Sequence, residues 1–118
     1  MAYLIDLPTF KDSRGELTVI EKIIPFEIKR VYYIYNVLSE RGGHRHKKTI
    51  QALISIGGTA RIYVKKNNKE ELFILDNPTK CLILNPDDWH NMIIKENSTL
   101  LVFASEYYDK NDYIYEDL

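Results

Sequence analysis

Two histidines separated by one residue, His44 and His46, are the residues of this sequence best suited to proton chemistry. They follow Arg41-Gly42-Gly43, which we interpret as a turn, and precede a segment with the composition of a β-strand. Side chains two residues apart in extended backbone lie on the same face, and imidazoles ionise near neutral pH. We therefore predict that His44 and His46 form an acid/base pair, with exposure in a basic surface loop as the alternative.

The same pair could provide two ligands of a metal site, with His90 as a third. However, no carboxylate occurs between His46 and Glu70, and the residues that follow the pair include the neutral Gln51. A glutamine lacks the anionic oxygen that offsets the desolvation of a divalent ion. We therefore predict no metal and no other cofactor; a three-histidine metal site is the alternative, and otherwise His90 is a core or cavity-lining residue.

Three arginines could bind an anionic substrate. Arg14 lies in a predicted turn, Arg30 in a predicted strand and Arg41 just ahead of the histidine pair. A guanidinium binds a phosphate through two parallel hydrogen bonds, so three of them converging on the histidines would suit a diphosphate. Each alone is typical of a solvated surface charge. Tyr32 could contact a sugar or a base, although most tyrosines in strands are packing residues.

Short β-strands must position these residues. Clusters of Gly, Pro, Asn and Asp recur along the chain, and the segments between them are rich in β-branched and aromatic residues. No window keeps the helical spacing of apolar residues over three turns. Turns every 8–12 residues are typical of a sandwich or barrel, so we predict an all-β fold. The predicted strands are Leu17–Glu21, Ile28–Tyr35, Thr49–Ile56, Ala60–Val64, Glu71–Leu75, Cys81–Leu84, His90–Ile94 and Leu100–Ala104.

Length and composition exclude several classes of protein. The 118 residues, 45% hydrophobic and 28% charged, suit one domain with one core. A net charge of -1 gives no general attraction for nucleic acid or anionic lipid. No apolar run reaches the roughly 20 residues of a membrane span, and no signal peptide is evident. We predict that the single cysteine, Cys81, is buried and packs as a small hydrophobic residue. We expect a cytoplasmic protein with no nucleic-acid or membrane partner.

The last segment, residues 106–118, differs in character because four tyrosines alternate with acidic residues. This pattern predicts an amphipathic tail whose rings cover a sheet face or pack on a partner subunit. A lid over a substrate is the alternative interpretation. Nothing in the sequence of the tail indicates a reacting group.

Several segments resemble, in chain order, the nucleotide-sugar 3,4-ketoisomerases, which are small cupins acting on dTDP-4-keto-6-deoxyglucose. The Arg-Gly-x-His-x-His-Lys core together with the Tyr-Tyr-Asp segment is specific, whereas His-x-His alone occurs in most cupins. The resemblance covers nearly the whole chain without a large insertion. The matching segments are Asp12–Leu17, Ile28–Ile34, Arg41–Lys48, Pro86–His90 and Leu101–Asp109.

This resemblance implies a single cupin domain over residues 1–118, a jelly-roll β-barrel, with 106–118 as a tyrosine-rich tail. It also implies a homodimer that exchanges or shares strands and a metal-free isomerase with a dTDP-sugar substrate. His44 and His46 are then expected to transfer protons between carbons 3 and 4 of the sugar. Arg14, Arg30 and Arg41 are expected to contact phosphate or sugar oxygens, and Tyr32 to contact the sugar or base.

Three features depart from the family pattern. Arg45 stands between the two histidines where relatives often carry a small residue. Gln51 stands where metal-binding cupins carry a glutamate, in agreement with metal-free chemistry. The chain also stops at Leu118, earlier than we expect after the Tyr-Tyr-Asp segment.

Three other functions remain open from the sequence. A 3,5-epimerase acts on the same nucleotide sugar and also removes protons next to its ketone. A non-catalytic cupin could bind a sugar as a sensor, although paired proton carriers would then be unnecessary. A metal-dependent cupin dioxygenase is the third alternative.

Overall fold

The computed structural model describes residues 1–115, and these residues form twelve β-strands with one short 3-10 turn, Lys110–Asp112. No α-helix occurs in this range. The strands are β1 (Tyr3–Asp6), β2 (Thr9–Asp12), β3 (Gly15–Thr18), β4 (Arg30–Ile34), β5 (Arg41–His46), β6 (Gln51–Gly57), β7 (Ala60–Lys66), β8 (Lys69–Leu75), β9 (Lys80–Leu84), β10 (Trp89–Ile94), β11 (Thr99–Ala104) and β12 (Tyr113–Ile114).

The strands form two five-stranded antiparallel sheets and a separate hairpin. One sheet has the order β1-β9-β6-β11-β4 and the other the order β12-β5-β10-β7-β8, while β2 and β3 pair with each other. Strands distant in sequence are neighbours in both sheets, as in jelly-roll folds. The chain forms one compact domain, and the prediction of an all-β cupin-type fold is confirmed.

The main core consists of apolar side chains from both sheets, including the fully buried Ile62, Leu82 and Leu100. The alternation in β7 follows directly from the sequence, since Ile62 and Val64 are buried while Arg61 and Tyr63 are exposed. This core lies beside the catalytic candidates, because Met92 belongs to it and also lines the cavity described below.

A second apolar cluster, which includes Ile54, Ile83 and Phe103, is partly covered by isoleucines between residues 20 and 24. Cys81 belongs to this cluster; it is fully buried, and burial raises its pKa to about 12. The interpretation of Cys81 as a buried hydrophobe is confirmed. None of the described residues forms a helix long and apolar enough to cross a bilayer.

The predicted strand boundaries were wrong near the N-terminus and at the histidines. The strand predicted at Leu17–Glu21 is β3, Gly15–Thr18, and residues 19–29 form no strand. β1, β2 and β12 were not predicted. Arg41-Gly42-Gly43 was interpreted as a turn but belongs to β5, because the two glycines adopt φ of +92° and +73° within a bulged strand.

Candidate active site

Three histidines from two neighbouring strands form one cluster. β5 supplies His44 and His46, and the adjacent β10 supplies His90, which pairs with His44 in the ladder. The His44 ring centre lies 4.9 Å from that of His46 and 4.8 Å from that of His90. The prediction that the His-x-His pair shares one face therefore agrees with the geometry, and exposure in a surface loop is wrong, since His46 is buried and His44 half-buried.

A β-bulge determines where His44 points. The register of β10 against β5 shifts between His90 and Asn91, so that Gly43 is the extra residue of β5. The neighbouring Gly42 packs tightly, since a Cβ built there would lie 2.9 Å from the His90 carbonyl oxygen. The two glycines thus let β5 approach β10 and place the His44 and His90 rings in contact.

Burial keeps the imidazoles neutral. Burial lowers the pKa of His46 to about 4, with a smaller effect from His44 and a partly opposing one from Asp112. Burial also lowers the pKa of His90 to about 3 and lowers that of His44. The His90 Nδ1 lies 3.0 Å from the Asp88 carbonyl oxygen, which can only accept, so Nδ1 carries the proton and Nε2 keeps a lone pair. At neutral pH the cluster can therefore accept protons.

These lowered pKa values predict that the protein loses stability in mild acid. An unfolded histidine binds its proton near pH 6.5, whereas folded His46 and His90 bind theirs only near pH 4 and 3. The unfolded state therefore binds more protons as the pH falls below 6.5, and the free energy of unfolding should drop by about 2 kcal/mol per histidine at pH 5. Urea denaturation at pH 7.5 and pH 5 measures the difference.

The His90→Asn variant provides the control for this effect. It removes one titrating group, so its loss of stability between pH 7.5 and 5 should be smaller by about 2 kcal/mol. Asp88 has a pKa raised by burial and would act in the opposite direction in the wild type and the variant alike. An equal pH dependence in the two proteins would contradict the neutral, buried state of His90.

A cavity of about 450 Å³ opens beside the histidines. Its lining includes Arg30, Tyr32, Arg41, His44 and Gln51. Four of the six predicted site residues are therefore at the cavity, and a fifth, His46, contacts the His44 ring. This volume lies within the usual range of small-molecule sites.

Arg14 does not reach this cavity within one chain. It lies in the turn between β2 and β3, where its guanidinium forms an ion pair with Asp12 at 2.6 Å. The Arg14 side chain is 89% exposed. A contact between Arg14 and a substrate in the histidine cavity therefore requires that the hairpin reach the cavity of a second copy.

Several buried polar atoms around the cavity have no hydrogen-bond partner among the described residues. They are Arg30 Nε, Gln51 Oε1, His46 Nε2 and His90 Nε2. Buried polar groups are normally paired, and leaving one unpaired costs about 1–3 kcal/mol. Gln51 itself is held by a 3.0 Å hydrogen bond from its Nε2 to the Tyr32 hydroxyl. Such a set of donors and acceptors is suited to a polar ligand with several oxygens.

The C-terminal tail contributes to the site, which the sequence did not indicate. β12 pairs with β5 so that Tyr113 lies opposite His46, and the Tyr113 ring centre is 4.7 Å from that of His44 and 4.6 Å from that of His46. The Tyr113 ring thus lies on the sheet face that carries the histidines, whereas the other three tyrosines of the tail, Tyr107, Tyr108 and Tyr115, are exposed. A tyrosine in an acidic tail carries no local signal for this position, which arises only from the strand pairing. The last three residues of the tail, 116–118, lie outside the described range.

Asp112 fixes the tail beside the histidines. Its buried carboxylate accepts hydrogen bonds from the backbone N–H groups of Lys48 (2.7 Å) and Thr49 (3.3 Å) and from the Thr49 hydroxyl. Burial acts to raise the pKa of Asp112, but these hydrogen bonds outweigh it and the net pKa is lowered. The negative charge of Asp112 also favours the protonated form of His46.

The histidine cluster has part of the chemistry of a metal site. Ligand atoms of His44, His46 and His90 lie within 4.8 Å of one another, so the three imidazoles could provide the protein ligands of a metal ion. No carboxylate of the described residues belongs to this group, and the cavity-lining Arg30 and Arg41 add positive charge. The positive charge favours an anionic organic ligand at this cavity.

Two antiparallel sheets, with a cavity lined by His44, Arg30 and Arg41, define a small cupin. The chain belongs to the WxcM-like, C-terminal family, whose model matches residues 2–117. It is 41% identical over 116 residues to TDP-4-oxo-6-deoxy-alpha-D-glucose-3,4-oxoisomerase of Aneurinibacillus thermoaerophilus, covering 94% of this chain and 84% of that protein.

Solved structures give the same result. The chain is similar to QdtA, a sugar 3,4-ketoisomerase from Thermoanaerobacterium thermosaccharolyticum solved with TDP (44% identity, TM-score 0.92, 98% of this chain and 88% of that one). It is also similar to the WlaRB TDP-quinovose 3,4-ketoisomerase from Campylobacter jejuni (35% identity, TM-score 0.92, 98% and 92%). The rmlC epimerase of Mycobacterium tuberculosis, at 15% identity, shares the fold alone.

Proposed function

We propose that this protein is a nucleotide-sugar 3,4-ketoisomerase that converts dTDP-4-keto-6-deoxyglucose into a dTDP-3-keto-6-deoxyhexose. The observation that carries the proposal is the pair of contacting imidazoles His44 and His46, of which His44 lines a cavity that also presents Arg30 and Arg41. Relatives at 41% and 44% identity are named for this reaction, and one was solved with TDP. The activity belongs to deoxysugar biosynthesis, which we place in the cytoplasm.

The reaction needs a base, a proton donor and stabilisation of an enediolate. The ketone at carbon 4 acidifies the hydrogen on carbon 3, and a neutral imidazole of the His44/His46 pair removes it. The electron pair of the broken C–H bond forms the C3=C4 double bond, and negative charge develops on the carbon 4 oxygen. The hydroxyl proton then moves from the oxygen on carbon 3 to that on carbon 4, and the imidazolium returns its proton to carbon 4.

The lowered pKa values define what the histidines do in this cycle. Both imidazoles enter the cycle neutral because burial lowers the pKa of each. Once one has taken the carbon proton, a low pKa makes the imidazolium a strong acid that returns the proton readily. The charge of Asp112 partly offsets the burial of His46, and the net pKa of this imidazole is still lowered to about 4.

The arginines hold the substrate through its remote groups. Arg41 lines the cavity, and the Arg30 guanidinium lies 5.0 Å from the Tyr32 ring centre, where cation–π contact fixes its plane. We assign Arg30 and Arg41 to phosphate or sugar oxygens and Tyr32 to the sugar or base. Binding energy from the diphosphate then positions carbon 3 against the imidazole without itself reacting.

The test of this function is the position of the carbonyl in the product. After incubation with dTDP-4-keto-6-deoxyglucose, nuclear magnetic resonance should show a new ketone at carbon 3. An inverted carbon 3 or carbon 5 with the ketone still at carbon 4 would identify an epimerase instead. Binding of the nucleotide sugar without any product would identify a sensor.

We expect the reaction to need no metal ion. Dialysis of the purified protein against a chelator should leave turnover unchanged within about twofold, because the imidazoles rather than a Lewis acid handle the protons. Metal analysis of the protein before dialysis provides the control. Stoichiometric iron or nickel, with turnover lost on its removal and restored on its return, would establish a metal-dependent enzyme.

We further propose that the active form is a homodimer. The β2–β3 hairpin forms its own two-stranded sheet, and its Phe10 and Leu17 side chains are 62% and 59% exposed. Exposed apolar residues on a projecting hairpin favour pairing with a second copy. Light scattering coupled to gel filtration should give twice the mass of the 13.9 kDa chain, and a monomer would contradict this assignment.

A further inference from the structure

The hydroxyl of Tyr113 has no role in the chemistry derived so far, although its ring contacts the imidazoles of both His44 and His46. The ring centre lies within 5 Å of those of both His44 and His46, and the side chain lines the same cavity as Tyr32. Tyr113 also acts electrostatically on Tyr32, so the two phenols are close to each other at the cavity. Tyr32 is engaged by Gln51, whereas Tyr113 presents a second phenol to the same space.

Several hydrogen bonds hold the backbone around Tyr113. Its own N–H donates to the Lys110 carbonyl oxygen, and the preceding Asp112 accepts from Lys48 and Thr49. The Lys47 N–H donates to the Asp112 carbonyl oxygen at 3.0 Å. These bonds attach the tail to the turn directly after His46. A phenol carried on such a segment is preorganised, which is the requirement for stabilising charge in a transition state.

We propose that Tyr113 is a further catalytic residue, whose hydroxyl donates a hydrogen bond to the enediolate oxygen of the sugar and whose ring packs against both imidazoles. The inference rests on the proposed ketoisomerase function. The hydrogen bond changes in strength during the reaction, and no bond to Tyr113 forms or breaks. The imidazoles handle the carbon proton at one side of the sugar ring while the phenol stabilises the charge on oxygen.

The hydroxyl and the ring of Tyr113 can be tested separately. The Tyr113→Phe variant keeps the ring against His44 and His46 and removes only the donor, so kcat should fall by about 10²-fold, as for other single oxyanion donors. KM and the thermal midpoint should change little. The Tyr113→Ala variant also removes the ring, so it should lower kcat further and shift the acid limb of the pH profile, since the imidazoles become more accessible to water.

Tyr107→Phe is the matched control. Tyr107 belongs to the same tail, is 73% exposed and lies outside the cavity lining, so its variant should retain wild-type kcat. If Tyr113→Phe retains wild-type kcat while the wild type isomerises the sugar, Tyr113 is only a packing residue and the inference is overturned. The inference is also overturned if the Tyr113→Phe variant changes only KM or the thermal midpoint. If the wild type itself does not isomerise the sugar, the proposed function fails and this inference fails with it.

Discussion

Replacing His44 or His46 by asparagine should lower turnover by about 10²–10⁴-fold in each case, the range expected for a positioned acid or base. Asparagine has a similar size and can hydrogen-bond, but it cannot accept a proton near neutral pH. The loss should fall on kcat, because in the proposed mechanism Arg30 and Arg41, and not the histidines, bind the diphosphate. Binding of TDP, measured by calorimetry, should therefore stay within a few-fold of wild type.

The double variant distinguishes a cooperating pair from two independent groups. If His44 and His46 act as one unit, the variant with both replaced should be hardly slower than the worse single variant. Lys47→Gln, next to the pair in sequence and exposed, is the control for the general effect of substitution in this segment. Near-normal turnover in both single variants would reject the pair as proton carriers.

Gly42→Ala should be destabilising and should also impair turnover. At φ +92° an alanine is strained by about 1–2 kcal/mol, and its Cβ would meet the His90 carbonyl oxygen at 2.9 Å and the Asn91 Cα at 3.2 Å. Backbone atoms cannot rotate away, so β5 must move from β10, at a further cost of about 1–3 kcal/mol. We expect a total loss of about 3 kcal/mol and a displaced His44 ring.

Gly43→Ala is the matched control for this prediction. Gly43 also has positive φ, +73°, but a Cβ there meets nothing within 4 Å. This variant should lose only about 1 kcal/mol for the strained backbone. Urea denaturation of both variants measures the difference, and turnover at a temperature where both are folded shows whether His44 has moved. Equal effects would show that the close contact of β5 with β10 does not position the site.

The sequence was informative where side chains alternate or repeat locally. The strand β7 and the shared face of His44 and His46 follow from the period of two in extended backbone. Arg30, Arg41 and Tyr32 were proposed from residue type alone, and the resemblance to a family named their roles. Their position at one cavity is a property of the fold.

The sequence was uninformative where the structure depends on pairing between distant segments. Gly42 and Gly43 were interpreted as a turn because glycine pairs usually mark one, and only the pairing of β5 with β10 reveals a bulge. Tyr113 reaches the histidines because β12 pairs with β5 more than 60 residues earlier in the chain. No local pattern specifies such a contact. For Arg14 the local sequence was misleading. It belongs to the segment Asp12–Leu17, which resembles the family, but its side chain lies on a hairpin away from the cavity of its own chain.

The most direct test of the central claim is to run the reaction in deuterium oxide and locate the label in the sugar. In the proposed mechanism, one proton leaves carbon 3 for an imidazole that exchanges protons with the solvent. One proton is then added to carbon 4. The product should therefore carry a carbonyl at carbon 3 and a single deuterium on carbon 4. Deuterium on carbons 3 and 5 with the carbonyl still on carbon 4 would contradict proton transfer between neighbouring carbons by the His44/His46 pair.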